Sequence, residues 1–169
     1  MFLSRDIASQ VGTFALVPQV VDAVQVPVIA AGGIAEPRGV AAAMLLGAAA
    51  VQIGTAYLKC PEAKISALHR AALGAAEDDA TVLTNVFSGR PARGIVNRIV
   101  REVGPVSAAA PEFPLAAAAV VPLRRAAEAA RSGDFSPLWA GQAAGLAEAM
   151  GAAELTRSLA EGALALLRR

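Results

Sequence analysis

PVIAAGGIAEPRGVAAAMLLGAAAVQIGTAYL, residues 27–58, decides the fold. It holds two short apolar runs, Val28–Ala31 and Ala49–Ile53, and glycine closes each: AAGGI at Ala30–Ile34, QIGT at Gln52–Thr55. Between them Glu36-Pro37-Arg38-Gly39 opens a helix, since proline is tolerated in a first turn. The apolar pattern carries that helix over Val40–Leu46, with Gly47 as its C-terminal cap. A strand, a short helix and a second strand, so closely spaced, make a βαβ unit with parallel neighbouring strands. Hydrophobic residues form 56% of the chain, and mean hydropathy is +0.52. Both values suit strands buried on both faces, as in parallel sheets.

Glycine at the C-terminal end of a parallel strand has two uses: it permits a sharp turn, and it lets a ligand approach the main chain. Two adjacent strands ending this way set bare N–H groups side by side, where phosphate binds well. Gly32, Gly33, Gly54 and Thr55 are therefore candidates for one phosphate cradle, with the Thr55 hydroxyl as an added donor. Ordinary strand-to-helix turns also favour glycine, so both readings stand. Gln52 is polar in an apolar strand, and a buried amide needs partners. It meets either the polar edge of a ring system or a neighbouring backbone group.

Outward from this unit, Thr13–Val24 begins as a loop and becomes a short helix near Pro18. Pro61-Glu62 starts a helix running through Leu73, and Gly74–Ala80 is an acidic surface loop. Thr81–Phe87 reads as a strand, Ser88–Gly94 as a loop and Ile95–Val103 as a short helix. Val106–Val121 is irregular with a helical piece, and Leu123–Arg131 is helical. Gly133–Gly141 is an aromatic-bearing turn, and helix fills the remainder to Arg169. Residues 1–75 thus read as the end of a β/α barrel, and residues 76–169 as a mostly helical region with one short strand. With 169 residues the chain is shorter than a whole eightfold barrel of about 250.

Fifteen Lys and Arg against fourteen Asp and Glu leave no footprint for nucleic acid or an anionic membrane. The longest apolar stretch, Val40–Leu58, is mostly alanine and carries Gly47, Gln52, Gly54 and Thr55, unlike a membrane span. The N-terminal MFLSRDIASQVG lacks the basic and apolar regions of a signal peptide. One cysteine, Cys60, forms no disulfide within the chain and fits a reducing, cytoplasmic location.

The other chemistry-bearing residues point elsewhere. His69 is the sole histidine, lies within a helix and reads as a surface or packing residue; alone it builds no metal site. Cys60 has no catalytic spacing around it. Arg90, Arg93 and Arg98 in SGRPARGIVNR form either an anion site or a solvated loop.

QVGTFALVPQVVDAV, PVIAAGGIA, GAAAVQIGTAYL, LTNVFSGRPARGIVN and GDFSPLWAGQ, in this order, resemble the C-terminal half of the nitronate monooxygenases, formerly called 2-nitropropane dioxygenases. The resemblance runs from about Gln10 to Gln142. It implies the last two strands of a TIM-type (β/α)8 barrel with their helices, plus the α-rich end of a second domain. It further implies FMN, no metal, and oxidation of alkyl nitronates by O2 to a carbonyl compound and nitrite. Carried over, Gly32, Gly33, Gly54 and Thr55 hold the FMN phosphate, and Gln52 and Ile53 line the same site. FMN-type enoyl-acyl-carrier-protein reductases resemble these stretches less closely. A non-catalytic phosphate-binding module completed by a partner chain is the alternative of another class.

In that family a Gly-Gly-His-Arg-Gly stretch, whose histidine is the catalytic base, precedes the segment that MFLSRDIASQVGTF resembles. No such stretch occurs in this sequence. The resemblance therefore implies that the family histidine belongs upstream of Met1, and that none of the 169 residues is the catalytic base. The expectation is a truncated enzyme that grips the cofactor phosphate and is catalytically inactive by itself. Part of a barrel also leaves an open edge beside Val28–Ala31 and an uncovered apolar face, so self-association is expected.

Overall fold

In the computed structural model, which describes residues 6–169, β1 (Ile29–Ala31) and β2 (Ala50–Gln52) pair in parallel, with Ile29 opposite Ala50 and Ala31 opposite Gln52. Residues 1–5 lie outside the described residues. Two expectations fall on them: the signal-peptide reading in part, and Met1 as the point ahead of which the family histidine belongs. Between the strands runs α2 (Pro37–Leu45), with Glu36 as N-cap and proline in its first turn. Leu46 N–H closes its end on Ala42 O at 3.0 Å. The expected βαβ unit is present. The described residues form no closed barrel; their sheets are this parallel pair and one antiparallel pair.

Burial corrects one expectation. The strands are covered on one face only: Ala30 is 2% exposed, whereas Ile29 is 60% exposed, and Ala31, Ala50 and Gln52 are exposed with it. The covered face meets an Ala-rich core that includes Val40, Ala41, Ala43 and Ala56. α7 (Ala152–Leu167) closes that core, burying Leu155, Leu159 and Ala163 at four-residue spacing in the stripe an amphipathic helix requires. The small side chains let α7 pack closely on α2.

α1 (Thr13–Ala23) belongs to the same unit and starts earlier than its proline implied. Gly12 O accepts from Ala15 N–H and Leu16 N–H, so the helix is nucleated before Pro18, which sits in its interior. One intrahelical bond is forfeited there, while Val17 is buried in the core with Val21 packed beside it. After β2 come the single turn α3 (Thr55–Leu58) and then α4 (Ala67–Gly74). α4 begins six residues after Pro61, because the Ser66 side chain caps it by accepting from His69 N–H at 3.1 Å.

The chain divides into two compact units. One joins residues 11–64 to 141–169, and the other, among the described residues, holds 6–10 and 65–140. The sequence boundary at 75/76 is drawn once along the chain, whereas the units exchange at 64/65 and again at 140/141.

The second unit contains a hairpin where a single strand was expected. β3 (Thr81–Thr84) pairs antiparallel with β4 (Ala92–Ile95), Leu83 opposite Arg93. β3 stops at Thr84, whose hydroxyl accepts from Val86 N–H and turns the chain. Because Ile95 is in β4, the following helix α5 is shorter than expected, at Arg98–Val103. Helix α6 (Ala116–Ala129) spans Pro122, where the sequence suggested two pieces. Val86, Phe87, Ile99 and Val100 form this unit's core, with Trp139 packed on it and edge-on to Phe87.

Candidate functional site

Gly32 and Gly33 follow β1 with φ of +100° and +72°, values that L side chains rarely adopt. The turn they make opens a cleft of about 300 Å³ at the C-terminal ends of β1 and β2. Ala31, Gly32, Gly33, Ile34, Gln52, Ile53, Gly54 and Thr55 line it, joined by Gly141 and Ala143. All six residues singled out from the sequence are therefore brought to one place.

The three strand-end glycines differ in kind. Gly32 makes room for α1: a Cβ there would stand 3.2 Å from Thr13 Oγ1, whose hydroxyl donates to Ala31 O at 3.4 Å. Gly54 has φ −101°, which any residue adopts, and a Cβ built on it meets nothing within 4 Å. Neither backbone conformation nor packing demands glycine at 54. A Cβ there would occupy only the open space in front of the main chain, so the residue fits a cradle for a group that approaches the backbone closely. Gly33 likewise has nothing within 4 Å of a built Cβ.

None of the lining residues is ionisable. An anion here would be met by main-chain N–H dipoles and a hydroxyl rather than by a full positive charge. The hydroxyl is that of Thr55, which accepts a hydrogen bond from Gly141 N–H at 2.8 Å. Gln52 departs from expectation: its side chain is exposed, because it lies on the uncovered strand face, and burial makes no demand on its amide. Ile53 is half-buried beside it. Thr13, Gly141 and Ala143 were not anticipated. Gly141 is 86 residues from Thr55 in sequence, and no local pattern links them.

The remaining candidates are engaged elsewhere. His69 Nε2 lies 2.9 Å from Trp139 O, so the ring packs within its own unit as a donor to that carbonyl. Arg98 pairs with Glu102 at 2.8 Å and lies over Phe135. Arg90 stacks over Phe113. Arg93 donates to Thr81 O at 3.0 Å, and burial lowers its pKa. These three arginines are thus held by separate partners. Cys60 is buried. Among the described residues no group of three or more His, Cys, Asp or Glu is placed to hold a metal ion. Among them, too, no helix is long and apolar enough to cross a membrane.

The chain is similar in sequence and fold to known proteins. The chain is 44% identical over 152 residues to a nitronate monooxygenase of Pseudomonas aeruginosa, covering 89% of this chain and 43% of that protein. A probable nitronate monooxygenase of Staphylococcus saprophyticus is 37% identical over 159 residues, covering 94% and 45%. Among solved structures, nitroalkane oxidase from Streptomyces ansochromogenes superposes with a TM-score of 0.87 at 40% identity, over 98% of this chain and 47% of that one. FabK from Thermotoga maritima follows at 0.77 and 29%, over 95% and 51%. The chain thus spans about half the length of the relatives it matches, and it aligns with their C-terminal part. The nitronate monooxygenase family model matches residues 4–162, and the chain belongs to that family.

Proposed function

We propose that this chain forms the phosphate-gripping end of the FMN site of a nitronate monooxygenase. The reaction is oxidation of an alkyl nitronate by O2 to a carbonyl compound and nitrite. The observation that carries the reading is Gly54, open in front and unconstrained behind, beside the left-handed Gly32-Gly33 turn. Gly33 and Gly54 expose main chain from two parallel strands to one anion, and Thr55 adds a hydroxyl. FMN, when bound, supplies the redox chemistry between nitronate and O2. The protein's share in this chain is to hold and orient the phosphate end, while Gln52 and Ile53 border the same cleft. On this reading β1 and β2 are the last two strands of an eightfold barrel, in the position where such barrels bind phosphate. No residue from Met1 to Arg169 is assigned as the base, since the sole histidine, His69, is committed to Trp139. The chain by itself is expected to be inactive, and a cytoplasmic setting suits its single buried thiol.

A chimera tests this. This chain is substituted for the matching C-terminal part of the Pseudomonas aeruginosa relative. Nitrite release from propane-2-nitronate in air is expected, and Gly54→Val should abolish it. A chimera that is folded but binds no FMN would remove the proposal. The likeness to FabK keeps an FMN-type enoyl-acyl-carrier-protein reductase as the second reading; NADH oxidation with an enoyl thioester, and no nitrite, would favour it.

A further inference from the structure

We infer that Gly141 is a positioning residue: its N–H fixes the Thr55 hydroxyl as a donor aimed at the anion in the cleft. The inference rests on the phosphate reading of that cleft and adds a residue to it.

A threonine oxygen has two lone pairs and one proton. Gly141 N–H donates to Thr55 Oγ1 at 2.8 Å and occupies one lone pair. Among the described residues this is the hydroxyl's one hydrogen bond, so its proton is given to no protein acceptor. Tetrahedral geometry at oxygen directs that proton away from the Gly141 N–H. Both residues line the cleft, and the cleft holds no charged side chain to compete for an anion. A hydroxyl already engaged as acceptor has its proton left to give, and an anion is the partner it then favours. The bond also ties the turn entering residues 142–146 to the end of β2, so the third wall of the site is set by the same contact.

The backbone at Gly141, φ −81° and ψ 169°, suits both alanine and proline. Alanine keeps the N–H, and its Cβ would meet Thr55 Oγ1 at 3.4 Å, an ordinary contact. Proline removes the N–H. The test titrates the protein and its variants with FMN and with riboflavin, which lacks the phosphate, and records thermal melts alongside. Gly141→Pro and Thr55→Val should each weaken FMN by about ten- to a hundredfold, the range for a hydrogen bond to a charged group. Riboflavin binding should be unchanged in both. Gly141→Ala should hold FMN affinity within about twofold, and Gly141→Pro in a Thr55→Val background should add little.

Wild-type protein that does not distinguish FMN from riboflavin would overturn the phosphate reading and this inference with it. Wild-type protein that does distinguish them, with Gly141→Pro as tight as Gly141→Ala, would overturn the positioning role alone. A Gly141→Pro loss that persists in full without the Thr55 hydroxyl would also overturn it. If proline lowers the melting point, Thr55→Val against Thr55→Ser decides: serine must restore FMN affinity.

Discussion

Gly162 of α7 lies directly against Pro37 of α2: a Cβ built at Gly162 would stand 2.7 Å from Pro37 Cγ and 2.8 Å from Pro37 Cβ. The proline ring is fixed to the backbone and cannot swing aside, so alanine at 162 must push the helices apart. Overpacking of this kind costs about 1–3 kcal/mol, while the gain in helix propensity from glycine to alanine is about 1 kcal/mol. Gly162→Ala is therefore expected to lower the melting point by a few degrees. A rise would mean that α2 and α7 have slack between them.

The helix that Pro37 opens was legible in the sequence, and so was the strand on each side of it. Pro27, Pro37 and Gly47 punctuate that stretch, and its apolar runs are unbroken. β4 was not legible. Ala92–Ile95 contains an arginine and a glycine, and its strand character comes from non-local pairing with β3 and from the bridge of Gly94 to Trp139. That these six residues meet at one cleft was legible because glycines at strand ends carry a local signature. The exposure of Gln52 was not, since which strand face is covered depends on α7, a hundred residues further on. Nor was Gly141 at Thr55, a contact between distant segments that no period or cap announces.

Gly33 and Gly54 should respond differently to the same substitution. Gly33→Ala places a side chain at φ +72° and is expected to cost about 1–2 kcal/mol of stability. Gly54→Ala meets no atom and no forbidden dihedral, so its stability should stay within about 0.5 kcal/mol of wild type. Both should lose FMN affinity. Gly54→Ala that binds FMN as well as wild type would show that the open space is not used.

Asn97 ties α5 to the turn before Trp139. Its Nδ2 donates to Gly133 O at 2.8 Å and Ser136 O at 2.9 Å, and the residue is buried. Asn97→Ala leaves two carbonyls without that donor, at a cost of about 1–3 kcal/mol. Urea unfolding would show the midpoint falling with little change in slope. An unchanged midpoint would mean that water replaces the amide.

Ile29, 60% exposed, stands on a strand face where Ala31, Ala50 and Gln52 are exposed as well. Leu45, Phe14 and Val26 add exposed apolar surface in the same unit. Such surface favours association, so sedimentation should give a mass above the 17.0 kDa of one chain. Ile29→Lys should reduce it. A monomer at all loading concentrations, with a sharp melt, would count against the proposed open face.

Glu128 supplies the pH dependence. Its carboxylate is held below the usual range, first by the hydrogen bond from Arg124 and then by that from Ser136. A carboxyl whose folded pKa is depressed adds stability above its unfolded pKa and loses it as pH falls through the folded value. The carboxylate is partly solvated, so the effect is screened, but Ser136 is buried and its hydroxyl keeps Glu128 as acceptor. Glu128→Gln should therefore be less stable than wild type at pH 7, and the gap should close in strong acid, as pH falls through the depressed folded value of the wild-type carboxyl. Urea midpoints of both proteins under the two conditions check this. A gap that persists unchanged in acid would assign the effect to shape at position 128 and not to charge.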